Sequence, residues 1–193
     1  MARRKGLSFY RKRRSISTTV MKEIGNYLFI VVAAILCAYV LVTSFGVRTS
    51  VIGVSMEPVL YNGQEVLINR FVYKLLAPKA GDVVAFLPNG NQNAHYYVKR
   101  VVAVPGDTVR ISDGILYVNE VPYTGLVYDK IADAGIAENE ITLGTKEFFV
   151  MGDNVNNSED SRSGNIGAVK RGDIVGKVWF HMAAGDSSIG LME

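Results

Sequence analysis

Hydrophobic and polar positions divide the chain into two kinds of text. From Ile24 to Val47 there is no charged residue, and the apolar centre, Tyr27 to Phe45, runs for 19 residues. At about 1.5 Å per residue such a helix reaches about 28 Å, close to the hydrocarbon thickness of a bilayer. After Arg48 the pattern breaks into short runs rich in Val and Ile, bounded by Gly, Pro and Asp: Glu65–Ile68, Asp82–Leu87, Tyr96–Val104, Thr108–Ile111, Ile115–Val118, Glu147–Met151 and Asp173–Phe180. Runs of this kind predict strands. Asp113-Gly114, between two of them, predicts a tight hairpin. No amphipathic helical period stands out beyond the first segment, except around Ile131–Glu138, and the polar, Ala- and Gly-rich stretch Tyr123–Lys146 reads as a loop or insertion on the sheet. The expected organisation is a basic tail over 1–26, a transmembrane helix over 27–45 and an all-β domain over 46–193, folded as a coiled sheet or partly closed barrel.

Charge sharpens this division. The formal net charge of +3 hides eight basic residues and one acid through Asn26, against 13 basic and 17 acidic residues afterwards. A uniformly basic nucleic-acid binder is excluded, because the positive charge sits on one tail. That asymmetry predicts a cytoplasmic N-terminus and an extracytoplasmic β domain, with the lipid bilayer as a partner. A cleaved secretory signal fits less well, since its apolar stretch is about 7–15 residues behind a short basic head. The single cysteine, Cys37, lies inside the span, so the exported part has no thiol and no disulfide framework. With His95 and His181 the only histidines, the chain is poor in zinc ligands, and no metal or cofactor is expected.

Three patches carry candidate chemistry. The first is Gly53-Val54-Ser55-Met56-Glu57-Pro58, about ten residues beyond the span, where an extended link holds Ser55 within about 33–36 Å of the bilayer. Glu57 stands where a nucleophile elbow needs Gly, so the residues alone read as a plain turn more readily than as a nucleophile. A reactive serine needs a base. His95 lies in a polar loop and His181 near the C-terminus, which leaves a histidine triad open but unsupported. Lys99 lies in the apolar run Tyr96–Val104, where strand alternation sets Tyr97, Lys99 and Val101 on one face and Val98, Arg100 and Val102 on the other. One of the two cations must then face whatever covers the sheet. If that is Lys99, desolvation lowers its pKa toward the range of a general base; otherwise it is a solvated lysine on an edge strand. The third patch, Met151–Arg162, is a dense polar loop after an apolar strand, with hydroxyls and carboxylates suited to orienting a buried base.

These patches, in this order behind an N-terminal span, resemble bacterial type I signal peptidases of the short Gram-positive-like form. The resemblance rests on Ser55-Met56-x-Pro58, Gly81-Asp82-Val83-Val84-Ala85-Phe86, Tyr97–Asp107, and Gly152-Asp153-Asn154 with Ser158-x-Asp160-Ser161-Arg162. It implies a membrane-bound serine endopeptidase that removes signal peptides from exported preproteins after small residues at −1 and −3. It also implies a Ser55–Lys99 dyad, with Ser158 orienting the lysine. Asp160 with Arg162 and Arg100 with Asp153 would form supporting ion pairs, and the Ser55 N–H would serve the oxyanion. Gly53 offers no second donor. Val155, where the family commonly has Arg, is a departure that puts the ionic scaffold in question and suggests a specialised member. The alternative is a non-catalytic assembly factor for surface or pilus subunits, although the presence of both dyad residues speaks against it.

Overall fold

The computed structural model describes residues 18–184 and 188–192, so most of the basic tail lies outside the described residues. Helix α1 (Thr18–Phe45) has 28 residues and is longer than the apolar centre alone. Its first turns take in Lys22 and Glu23, both good helix formers, so the helix starts well before the apolar stretch. Gly46 ends it: its N–H donates to the Val42 carbonyl, and a Cβ there would stand 2.6 Å from that oxygen. Over Thr18–Thr43 the mean hydropathy is 2.3 and the side chains are exposed, as suits a helix long and apolar enough to cross a membrane.

The rest of the described chain is β-rich. Strands β1 (Val47–Ser50), β2 (Glu65–Asn69), β3 (Val83–Phe86), β4 (Tyr97–Ala103), β9 (Glu147–Met151), β10 (Val169–Lys170), β11 (Ile174–His181) and β12 (Gly190–Leu191) form one sheet. Its order is β1-β2-β11-β3-β4-β9-β10, with β12 on β11, and it curls into a half barrel. A smaller sheet has the order β7-β6-β5-β8, from β5 (Thr108–Ser112), β6 (Ile115–Val118), β7 (Val121–Pro122) and β8 (Ile141–Thr142). A single helical turn, α2 (Val72–Leu75), follows β2.

Strand alternation explains why the central runs are apolar throughout. On β3, Val83 and Ala85 enter one cluster, with Met56, Leu60 and Ile68, while Val84 and Phe86 enter another on the opposite face. On β9, Phe148 and Val150 join that second cluster, and Phe149 and Met151 turn into a third, beneath the smaller sheet. A strand covered on both faces has no polar row to show. The hairpin forms at the predicted place, with Ser112 opposite Ile115 and Asp113 and Gly114 at φ 54° and 80°, the doubly positive pair a type I′ turn requires. The stretch from Tyr123 to Lys146 is mainly loop, with a 3-10 turn over Gly135–Glu138 and the two residues of β8. It nevertheless buries Leu126, Ile131, Ala137 and Leu143 under the smaller sheet, so it completes a core rather than riding on a surface.

Candidate active site

Ser55 sits in the turn between β1 and β2, and the residues around it explain why it stays put. Gly53 takes φ 82°, a left-handed conformation that suits glycine, and its N–H donates to Asn62 Oδ1 at 2.9 Å. Met56 and Leu60, both fully buried, drive the far side of the turn into the core. Ser55 itself is buried, at the wall of a cleft of about 470 Å³ that Ile52, Val54, Tyr96, Tyr97 and Lys99 also line.

Lys99 reaches Ser55 from the centre of the curled sheet. It lies on β4 opposite Val84 of β3, and it is buried. Its Nζ is 2.5 Å from Ser55 Oγ, within hydrogen-bond distance, and 5.8 Å from the centre of the Tyr97 ring. Burial disfavours the ammonium and pushes the Lys99 pKa down from 10.5 to about 8. The carboxylates of Asp160, Glu159 and Asp153 pull it back up, and the Arg162 cation pushes it further down. Both strand cations are covered, not only one. Arg100, on the other face, donates from Nε and Nη2 to the two Asp153 oxygens at 2.7 and 2.8 Å and from Nη1 to the Gly81 carbonyl. That bidentate bond raises the Arg100 pKa further and keeps the guanidinium charged.

The polar loop after β9 meets both. Because β9 pairs with β4, with Arg100 opposite Met151, the chain leaving β9 passes over Lys99. Ser161 closes the loop at its base: Val150 N–H donates to Ser161 Oγ and Ser161 N–H to the Val150 carbonyl, both at 3.0 Å. Within it, Arg162 donates from Nε and Nη2 to the Asp160 carboxylate at 2.8 and 2.9 Å, and Asp160 Oδ2 also accepts from Gly152 N–H. The Asn154 N–H donates to the Ser55 carbonyl at 3.0 Å and its Nδ2 to the Val54 carbonyl at 3.2 Å, tying the loop to the Ser55 turn. Gly152 is the pinch point, where a Cβ would stand 2.3 Å from both the Ser55 carbonyl oxygen and Ser158 Oγ.

Ser158 departs from the expectation. Its Oγ is buried without a hydrogen-bond partner among the described residues, so the bond to Lys99 implied by the family resemblance is not made. Val155 departs from the family pattern without removing the scaffold. Its side chain is buried in the core with Leu126, Ile131 and Met151, while its carbonyl accepts from Arg162 Nη2 at 2.5 Å, a contact any residue could supply. The histidines stand apart from the serine. His95 is exposed at the cleft mouth without a bond to Ser55, and His181 Nδ1 is 3.0 Å from Gln64 Nε2. Among the described residues no cluster of His, Cys, Asp and Glu could hold a metal ion.

Residues 24–183 match the family model described as signal peptidase, peptidase S26. The chain belongs to that family. Signal peptidase I P of Bacillus subtilis subsp. natto is 35% identical over 159 residues, covering 75% of this chain and 83% of that one. Signal peptidase I T of Bacillus subtilis strain 168 is 32% identical over 86% of this chain and 90% of its own, and signal peptidase IB of Staphylococcus aureus strain COL is 33% identical over 82% and 89%. A crystal structure of a signal peptidase I from Enterococcus faecalis V583 shares 28% identity, with a TM-score of 0.41, over 53% of this chain and 97% of that one. As an S26 peptidase the chain is a serine endopeptidase, a hydrolase. Sequence reasoning singled out Ser55, Lys99 and the two ion pairs. It passed over Asn154, Gly152 and Met56 as positioning residues, although each stood inside a motif already noted for other reasons.

Proposed function

We propose that this S26 peptidase removes signal peptides by a Ser55–Lys99 dyad, from the outer side of a membrane in which α1 anchors it. The observation that carries the reading is the 2.5 Å approach of a buried Lys99 Nζ to Ser55 Oγ, with the lysine pKa near 8. In that range a useful fraction of the lysine is neutral near physiological pH. Neutral Nζ takes the Ser55 proton as Oγ attacks the scissile carbonyl. The Ser55 N–H, which has no acceptor among the described residues, is available to the developing oxyanion. The resulting Lys99 ammonium protonates the leaving amine, the mature protein's new N-terminus. Water, deprotonated by the same lysine, then releases the signal peptide from Ser55. Arg100–Asp153 and Arg162–Asp160 hold the loop that covers the lysine. The basic N-terminal segment supports a cytoplasmic N-terminus, which leaves the β domain on the side where signal peptides emerge.

The test is cleavage of a preprotein by detergent-solubilised enzyme, followed by N-terminal sequencing of the product. The product should begin after small residues at −1 and −3. Ser55→Ala and Lys99→Ala should each abolish the product, and the double variant should be no worse, because the pair acts as a unit. More than a few per cent of activity in Lys99→Ala would contradict the dyad. A silent wild-type enzyme on every preprotein would favour the assembly-factor reading.

A further inference from the structure

Glu159 stands where the catalytic cleft meets a second cavity. It is the one carboxylate among the residues lining the cleft with Ser55 and Lys99. The adjoining cavity, about 520 Å³, shares Glu159 with it and adds Asp133 and Arg162. The other charges here are committed. Arg162 grips Asp160, Arg100 grips Asp153, and Asp133 Oδ1 accepts from Gly135 N–H. Glu159 is exposed and has neither ion pair nor hydrogen bond among the described residues, and Lys99 lies beyond ion-pair distance of it. A polypeptide whose scissile carbonyl meets Ser55 Oγ extends about 3.3–3.6 Å per residue to either side and must cross this lining. It therefore meets one unneutralised negative charge in an otherwise mainly apolar cleft.

We propose that Glu159 is a specificity-determining residue that favours a Lys or Arg side chain of the substrate close to the scissile bond. This rests on Ser55 and Lys99 being the reacting pair, which fixes where the substrate lies. Glu159 does not exchange a proton with the peptide bond, and its upward pull on the Lys99 pKa acts on all substrates alike, so its effect on specificity appears as a ranking among substrates. A partly exposed pair of this kind shifts kcat/KM by a few-fold, and repulsion of an acidic side chain at the same position widens the contrast.

The experiment uses the full chain in detergent and a preprotein carrying Lys, Gln or Glu in turn at each position flanking the cut. For the wild-type enzyme, kcat/KM should rank Lys above Gln above Glu at one or more positions, about fivefold from end to end. Glu159→Gln should level that ranking, and Glu159→Lys should invert it. At 1 M salt, where the Debye length is about 3 Å, the wild-type contrast should shrink toward one. The same ranking in all three enzymes at every position would overturn the proposal. Ser55→Ala run on the same substrates separates the two failures. An active Ser55→Ala overturns the dyad on which the proposal rests, whereas an unchanged ranking in enzymes that Ser55→Ala silences overturns the role of Glu159 alone.

Discussion

Lys99 is held near pKa 8 by burial, against the upward pull of Asp160, Glu159 and Asp153. This has a consequence for stability that is separate from catalysis. Below about pH 8 both the folded and unfolded chains carry the lysine proton, and the folded state holds a buried ammonium at a cost of about 3 kcal/mol. Between about 8 and 10.5 the folded lysine is neutral while the unfolded one still binds a proton. Stability therefore rises with pH across that window and is lost again as pH falls back through about 8. Lys99→Met should remove this slope and raise the urea midpoint at neutral pH; an unchanged profile would mean that Lys99 is solvated. Ser158 offers a second test at this scale. A buried hydroxyl without a partner stabilises nothing, so Ser158→Ala should leave the melting temperature unchanged or slightly higher. The orienting role that the family resemblance implies for Ser158 nevertheless predicts a severalfold fall in turnover, which requires its hydroxyl to reach the Lys99 ammonium during reaction. Unaltered turnover would reduce Ser158 to packing.

At the scale of elements, the site exists because strands β4 and β9 and two loops converge. β4 carries Lys99, β9 beside it launches the polar loop, and the turn between β1 and β2 presents Ser55. Gly152 is where loop and turn touch, so Gly152→Ala should push the Ser55 turn away from Lys99. A displacement of about 1 Å is enough to cost about 100-fold in kcat/KM. Wild-type activity in that variant would mean that the contact at Gly152 does not set the serine's position. Much of this convergence was legible in the chain. β6 and β9 span the runs Ile115–Val118 and Glu147–Met151, and Asp113-Gly114 makes its hairpin, because β-branched runs between turn residues leave few alternatives. The short strands β7, β8, β10 and β12 were not legible, since two residues carry no period. Nor was the role of Tyr123–Lys146, whose four buried side chains are scattered among polar residues and find their partners only across the smaller sheet. The approach of Lys99 to Ser55 was legible only through the order of motifs, because the two are 44 positions apart and no local spacing links them.

The whole molecule joins an apolar helix to a curled β domain whose interior holds a lysine beside a serine. The central claim is that this lysine, not an imidazole, takes the serine's proton. It is tested most directly by the pH dependence of kcat/KM for preprotein cleavage in the His95→Ala, His181→Ala double variant. With Lys99 as the base, cleavage must rise with pH as the lysine loses its proton, and the rising limb should be centred near pH 8 in both wild type and double variant. A limb centred near the ~6.5 of an ordinary imidazole, and abolished when the two histidines are removed, would contradict it.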